Sequence, residues 1–94
     1  MGPTLFAHFY TNGTPLFEKA KEVAASLDYT VSMDDPSGGI LHLHKKISGR
    51  MTHLIIQVGT GKDRSLAIEV LPGDEGYYMD LGRQFIRELK KIVR

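Results

Sequence analysis

The stretch from Gly39 to Leu71 alternates in polarity through three consecutive segments, and this constrains the chain more than any other feature. From Gly39 to Ile47, Leu41 and Leu43 lie on one side and His42 and His44 on the other. From Arg50 to Val58, Leu54, Ile56 and Val58 oppose His53, Ile55 and Gln57. From Ser65 to Leu71, Leu66, Ile68 and Val70 oppose Ala67 and Glu69. Successive side chains of a strand point to opposite faces, so the pattern predicts three antiparallel strands sharing one strongly apolar face. A two-residue connection at Ser48-Gly49 pairs Leu43 with Leu54, Leu41 with Ile56 and His44 with His53, with His42 on the neighbouring diagonal. A slip of one residue sets leucines against histidines, so the pattern selects this register. The second hairpin, turning at Gly59 to Asp63, pairs Ile56 with Ile68 and Leu54 with Val70.

The flanking segments supply cover for the apolar face. Thr4 to Thr11 reads as a first strand with Leu5, Ala7 and Phe9 inward and Phe6, His8 and Tyr10 outward. Asn12-Gly13 ends it. Thr14-Pro15 suits a helix start, because the threonine oxygen accepts from an orphan amide and proline fits the first helical position. Leu16, Phe17, Ala20, Val23, Ala24 and Leu27 then recur at helical spacing as far as Asp28. Tyr29 to Met33 reads as a second strand with Tyr29, Val31 and Met33 inward, followed by a turn at Asp34-Asp35-Pro36-Ser37-Gly38. Beyond Pro72-Gly73, with Asp74 and Glu75 at its start, a last helix runs from about Tyr77 to the end. Its buried stripe is Tyr78, Leu81, Gly82, Phe85, Leu89 and Ile92 or Val93. Glycine inside that stripe is unfavourable by up to ~1 kcal/mol against alanine, which points to a close approach of helix to sheet.

These elements make one α+β domain over residues 1–94, ordered β-α-β-β-β-β-α. The expected architecture is one antiparallel five-stranded sheet with two helices on one face. That order resembles the helix-grip and TATA-binding-protein-like architecture, which implies a curved sheet carrying both helices on the same side. The resemblance covers the whole chain at the level of topology, and topology alone assigns no function.

Composition narrows the function classes. Ninety-four residues bury one modest core, and 41% hydrophobic residues with charges of both signs describe an ordinary soluble chain. A net charge of +1 argues against a dedicated electrostatic binder of nucleic acid or membrane. The chain has no cysteine, which excludes disulfides, thiolate metal sites and cysteine nucleophiles. The start lacks a signal-peptide pattern, Phe6 stands where a myristoylation signal wants Ser or Thr, and no apolar run reaches membrane length. The expected location is the cytoplasm.

If both helices lie on one face, the other face is open. Its candidate binding residues are Ile40, His42, His44, His53, Ile55, Gln57, Glu69 and Leu71, with Thr30, Ser32, Ala67 and the outward side of the first strand around them. Apolar residues grouped on a solvated face point to a partner. The expectation is a non-enzymatic protein-interaction or ligand-binding module that uses this face and forms a homodimer. One alternative is a metal- or histidine-dependent enzyme, because His42, His44 and His53 together could hold a transition metal; no other cofactor is expected. Set against it, histidine is well tolerated on a half-exposed sheet, and three neighbouring imidazoles equally suit a pH-sensitive interface. A second alternative is single-stranded nucleic-acid binding by stacking on Phe6, Tyr10 and the histidines, although the face carries no arginine and lysine only at Lys46.

The remaining motifs read as ordinary structure. Gly59-Thr60-Gly61-Lys62 has the wrong spacing for a phosphate loop and leads into a strand rather than a helix. The carboxylate pairs Asp34-Asp35 and Asp74-Glu75 sit in turn and cap contexts, no serine lies in a nucleophile elbow, and Asn12-Gly13-Thr14 reads as a turn. Arg83, Arg87, Lys90, Lys91 and Arg94 form a solvated helix face.

Overall fold

The computed structural model describes residues 4–9, 16–59, 65–71 and 76–93, with backbone alone for 76–78. Strand β1 (Thr4–His8) is followed by helix α1 (Leu16–Ser26), strands β2 (Thr30–Asp35), β3 (Ile40–Ile47), β4 (Arg50–Val58) and β5 (Ser65–Leu71), and helix α2 (Gly76–Ile92). The strands form one antiparallel sheet in the order β1-β5-β4-β3-β2. Helix α1 therefore carries the chain from one edge of the sheet to the other, and α2 follows β5. The helix starts expected at Thr14-Pro15 and Asp74-Glu75, the breaks at Asn12-Gly13 and Pro72-Gly73, Tyr10, Arg94 and the loop residues 60–64 lie outside the described residues.

The register follows the alternation. Leu43 faces Leu54, Leu41 faces Ile56 and His44 faces His53 across β3–β4, while Leu54 faces Val70 and Ile56 faces Ile68 across β4–β5. Ser48 and Gly49 both have positive φ, 53° and 81°, as a tight turn matching strand twist requires. On β1, Leu5 pairs with Ile68 and Ala7 with Leu66, whereas Phe6 pairs with Ala67 on the opposite face.

One core joins the two helices to the apolar side of the sheet. Leu41, Leu43, Leu54, Ile56, Leu66, Ile68 and Val70 are buried together with Leu16, Ala20, Val23 and Ala24 of α1 and Phe85 and Leu89 of α2. Val93, rather than Ile92, completes the stripe, Ile92 remaining 42% exposed. Gly82 lies where α2 presses closest on the sheet. A Cβ there would come within 2.7 Å of Leu5 Cδ1 and 3.1 Å of Val70 Cγ2.

Helix α1 stops by a chain reversal at Asp28, whose φ is 66°. The Tyr29 amide donates to the Ala24 carbonyl and the Asp28 amide to the Ala25 carbonyl, a Schellman closure with aspartate in the left-handed position usually given to glycine. Lys45 Nζ donates to the Leu27 carbonyl at 2.7 Å, placing positive charge at the helix C-terminus, and lies 4.8 Å from the centre of the Tyr29 ring. The basic face of α2 is solvated, with Arg83 paired to Asp80 and Lys91 to Glu88 one turn apart.

The second strand departs from its simple alternation. Tyr29 is buried as expected, but Val31 and Met33 are 40% and 45% exposed. Val31 pairs with Leu43 and keeps the helix-side direction at the sheet edge, where exposure shows that cover is incomplete. Between Val31 and Met33 the register shifts by one residue, so Met33 pairs with His42 and joins the open face. A bulge on an edge strand turns its side chains and discourages edge-to-edge pairing.

Two substitutions test this packing. Gly82→Ala should lose stability, about 1 kcal/mol or more, although helix propensity alone would make it a gain of about that size. Thr52 is fully buried and its hydroxyl has no hydrogen-bond partner. Thr52→Val should therefore raise stability by about 1 kcal/mol in urea unfolding, and a loss would show that the hydroxyl is satisfied.

Candidate functional site: the open sheet face

The face turned away from the helices is a grid of cross-strand rows. One row runs Thr4, Glu69, Ile55, His42, Met33 from β1 to β2. The next runs Phe6, Ala67, Gln57, Ile40, Asp35, and on the other side lies Leu71, His53, His44, Thr30. All eight candidates read from the sequence, Ile40, His42, His44, His53, Ile55, Gln57, Glu69 and Leu71, therefore share this face. The bulge adds Met33, which alternation alone assigned to the core. Phe6 is 78% exposed and Met33 and Met51 each 45%. Ile40, Ile55, Ala67 and Leu71 are half-buried by their strand neighbours.

The charges on this face are few. Among the described residues, its fixed charges are Glu69 in the middle, Asp35 beside the β2–β3 turn and Lys46 near the β3–β4 turn. The Asp35 carboxylate accepts the Gly38 amide at 3.2 Å, tying it to its own turn. The depressions on the face are shallow and open to solvent. One of about 370 Å³ is bordered by Phe6, Gln57 and Ala67, and one of about 170 Å³ lies between Ile55 and Glu69.

The three histidines come together in the centre of the β2–β3–β4 half. His42 Nε2 and His53 Nδ1 are 3.2 Å apart and share a hydrogen bond, so one ring donates and the other accepts through a bare nitrogen. Their ring centres are 5.2 Å apart, and those of His44 and His53 are 6.2 Å apart. His44 Nδ1 shares a hydrogen bond with Ser32 Oγ, beside the β2 bulge. Burial, and next the neighbouring His53 and His44, hold the His42 imidazole below its ordinary value of 6.5. The three rings do not form a metal site in this arrangement: among the described residues, no group of three or more His, Cys, Asp or Glu side chains is placed to hold an ion.

The stretch from Gly59 leads into β5, as the hairpin reading requires, and the Gly59 amide closes the loop on the Ser65 carbonyl at 2.9 Å. No helix among the described residues is long and apolar enough to cross a membrane. Comparison of the sequence with protein-family models and with curated proteins finds no match.

The histidine geometry carries a spectroscopic consequence. In an NMR titration the His42 ring should titrate below 6.5, and His53→Ala should move it upward without restoring it fully, since burial remains. By linkage, the stability that neutral His42 contributes is present above about pH 6.5 and is lost as pH falls through its lowered folded value. A His42 ring titrating at or above 6.5 would contradict the geometry.

Proposed function

We propose that this domain is a non-enzymatic interaction module whose open sheet face is covered by a second copy of the same chain. The observation that carries the reading is the composition of the exposed side: Phe6 and Met33 stand out from a surface of half-buried Ile40, Ile55, Ala67 and Leu71, with fixed charge at only three described positions. Interface centres are depleted in charge and enriched in aromatic residues and methionine. Scattered apolar side chains are normal on a surface, but here Phe6 faces Ala67 directly and Ile55 is diagonal to Ala67, Leu71 and Ile40.

Size and symmetry favour a second copy. Five strands ~4.8 Å apart, with about seven residues each at ~3.3 Å, present on the order of 500 Å² in projection, the scale of a small interface and below the ~800 Å² per partner of a standard one. A two-fold axis through Ile55 sets a sparsely charged patch on itself, with Glu69 of each copy beside the axis. A sheet carrying both helices on one side is also what the resemblance to the helix-grip, TATA-binding-protein-like architecture implies. Nucleic acid fits the face poorly. Lys46 is its only fixed positive charge among the described residues, so little counterion release would drive binding.

Light scattering tests the reading. At micromolar concentration and neutral pH the protein should run at twice its 10.5 kDa monomer mass, and Ile55→Lys should return it to the monomer with unchanged circular dichroism. A wild-type monomer throughout, or an Ile55→Lys variant as dimeric as the wild type, would contradict it.

A further inference from the structure

The histidine cluster occupies the part of the open face where water would be expelled by a partner, and it is built so that added protons disrupt it. The His42–His53 hydrogen bond needs a bare nitrogen on one of the two rings. Full protonation sets two N–H groups against each other across 3.2 Å and breaks the contact. His44, 6.2 Å from His53 and bonded to Ser32, adds a third imidazole to the same patch. Protonation adds up to three positive charges per copy to the patch, and a two-fold interface doubles them.

We propose that the open face is a pH-gated self-association surface, closed by a second copy when His42, His44 and His53 are neutral and opened by their protonation. This rests on the reading that a second copy covers the face. Covering the cluster removes its remaining water, which disfavours the charged imidazoles further, so the associated form binds fewer protons than the separate chains. Acid therefore drives dissociation by mass action.

Fixed charges of both signs surround the cluster. From β3, Lys46 lies two residues beyond His44 on the same face. From β5, Glu69 is opposite Ile55 and diagonal to His53. From β2, Asp35 is opposite Ile40, diagonal to His42, and already accepts the Gly38 amide. From β1, His8 lies two strands away opposite Ser65. On β4, Arg50 pairs with Ile47 and shares the helix-side parity of Thr52 and Leu54. Burial and the two neighbouring rings all act on His42 in the same direction, towards the neutral form.

If one proton per copy is excluded from the dimer, its dissociation constant rises ~100-fold for each pH unit below the imidazole range. Sedimentation velocity at pH 7.5 and pH 5.0, with circular dichroism confirming the fold at both, reads this directly. The constant should rise on the order of 100-fold or more between the two. In the triple variant His42→Gln, His44→Gln, His53→Gln the ratio of the two constants should fall close to one, whatever their absolute values. If that variant does not fold, an NMR titration of the wild type at low and high concentration replaces it, and the His42 ring should titrate lower in the concentrated sample. A wild-type dimer equally tight at both pH values overturns the gating and leaves the interaction surface standing. So does a triple variant as acid-sensitive as the wild type, or a His42 titration independent of concentration. A protein monomeric at pH 7.5 at every concentration overturns the surface and the gating together.

Discussion

The structure depends on cross-strand pairing of branched aliphatic side chains along one side of the sheet. Leu43, Leu54 and Val70 form one such row, and Leu41, Ile56, Ile68 and Leu5 the next. Each contact fixes a register, and each register fixes what the opposite face displays, because the side-chain period of a strand is two. The histidines are thus placed by the leucines. His44 meets His53 because Leu43 meets Leu54, and no direct attraction between imidazoles is needed to bring them together.

Both helices serve the same surface. Helix α2 lies close because Gly82 has no side chain, and the space is taken by Leu5 and Val70. Helix α1 crosses to the far edge of the sheet, ends at Asp28, and is held there by Lys45 from β3. With the apolar side used up by the helices, the histidine side is left to water or to a partner. Its sparse charge and its exposed Phe6 and Met33 distinguish it from the helix surface, where Arg83 with Asp80 and Lys91 with Glu88 form local pairs.

Much of this was legible in the residues, for identifiable reasons. From Gly39 to Leu71 the alternation is strict and the first connection is only two residues long, so pairing, facing and the histidine grouping could all be read. The glycine inside the last helical stripe announced its close contact. Strand β2 was read less well. Thr30, Val31, Ser32 and Met33 alternate polar with apolar, and nothing in them marks the bulge that sends Met33 outward. The strand order was also illegible, because a helical connection after β1 does not say at which edge the chain resumes. The helix stop at Asp28 was foreseen in position, while its left-handed aspartate was not, since glycine is the usual residue there.

The central claim is that the histidine-bearing side of the sheet is an interface between copies of this chain. Intermolecular nuclear Overhauser effects in an equal mixture of isotope-labelled and unlabelled protein at pH 7.5 test it most directly. The account predicts cross-peaks between chains from the methyl groups of Ile40, Ile55, Leu71 and Met33, and none from Leu41, Leu43 or Leu54. Cross-peaks from the outer surfaces of the helices instead, or none between chains at millimolar concentration, would contradict it.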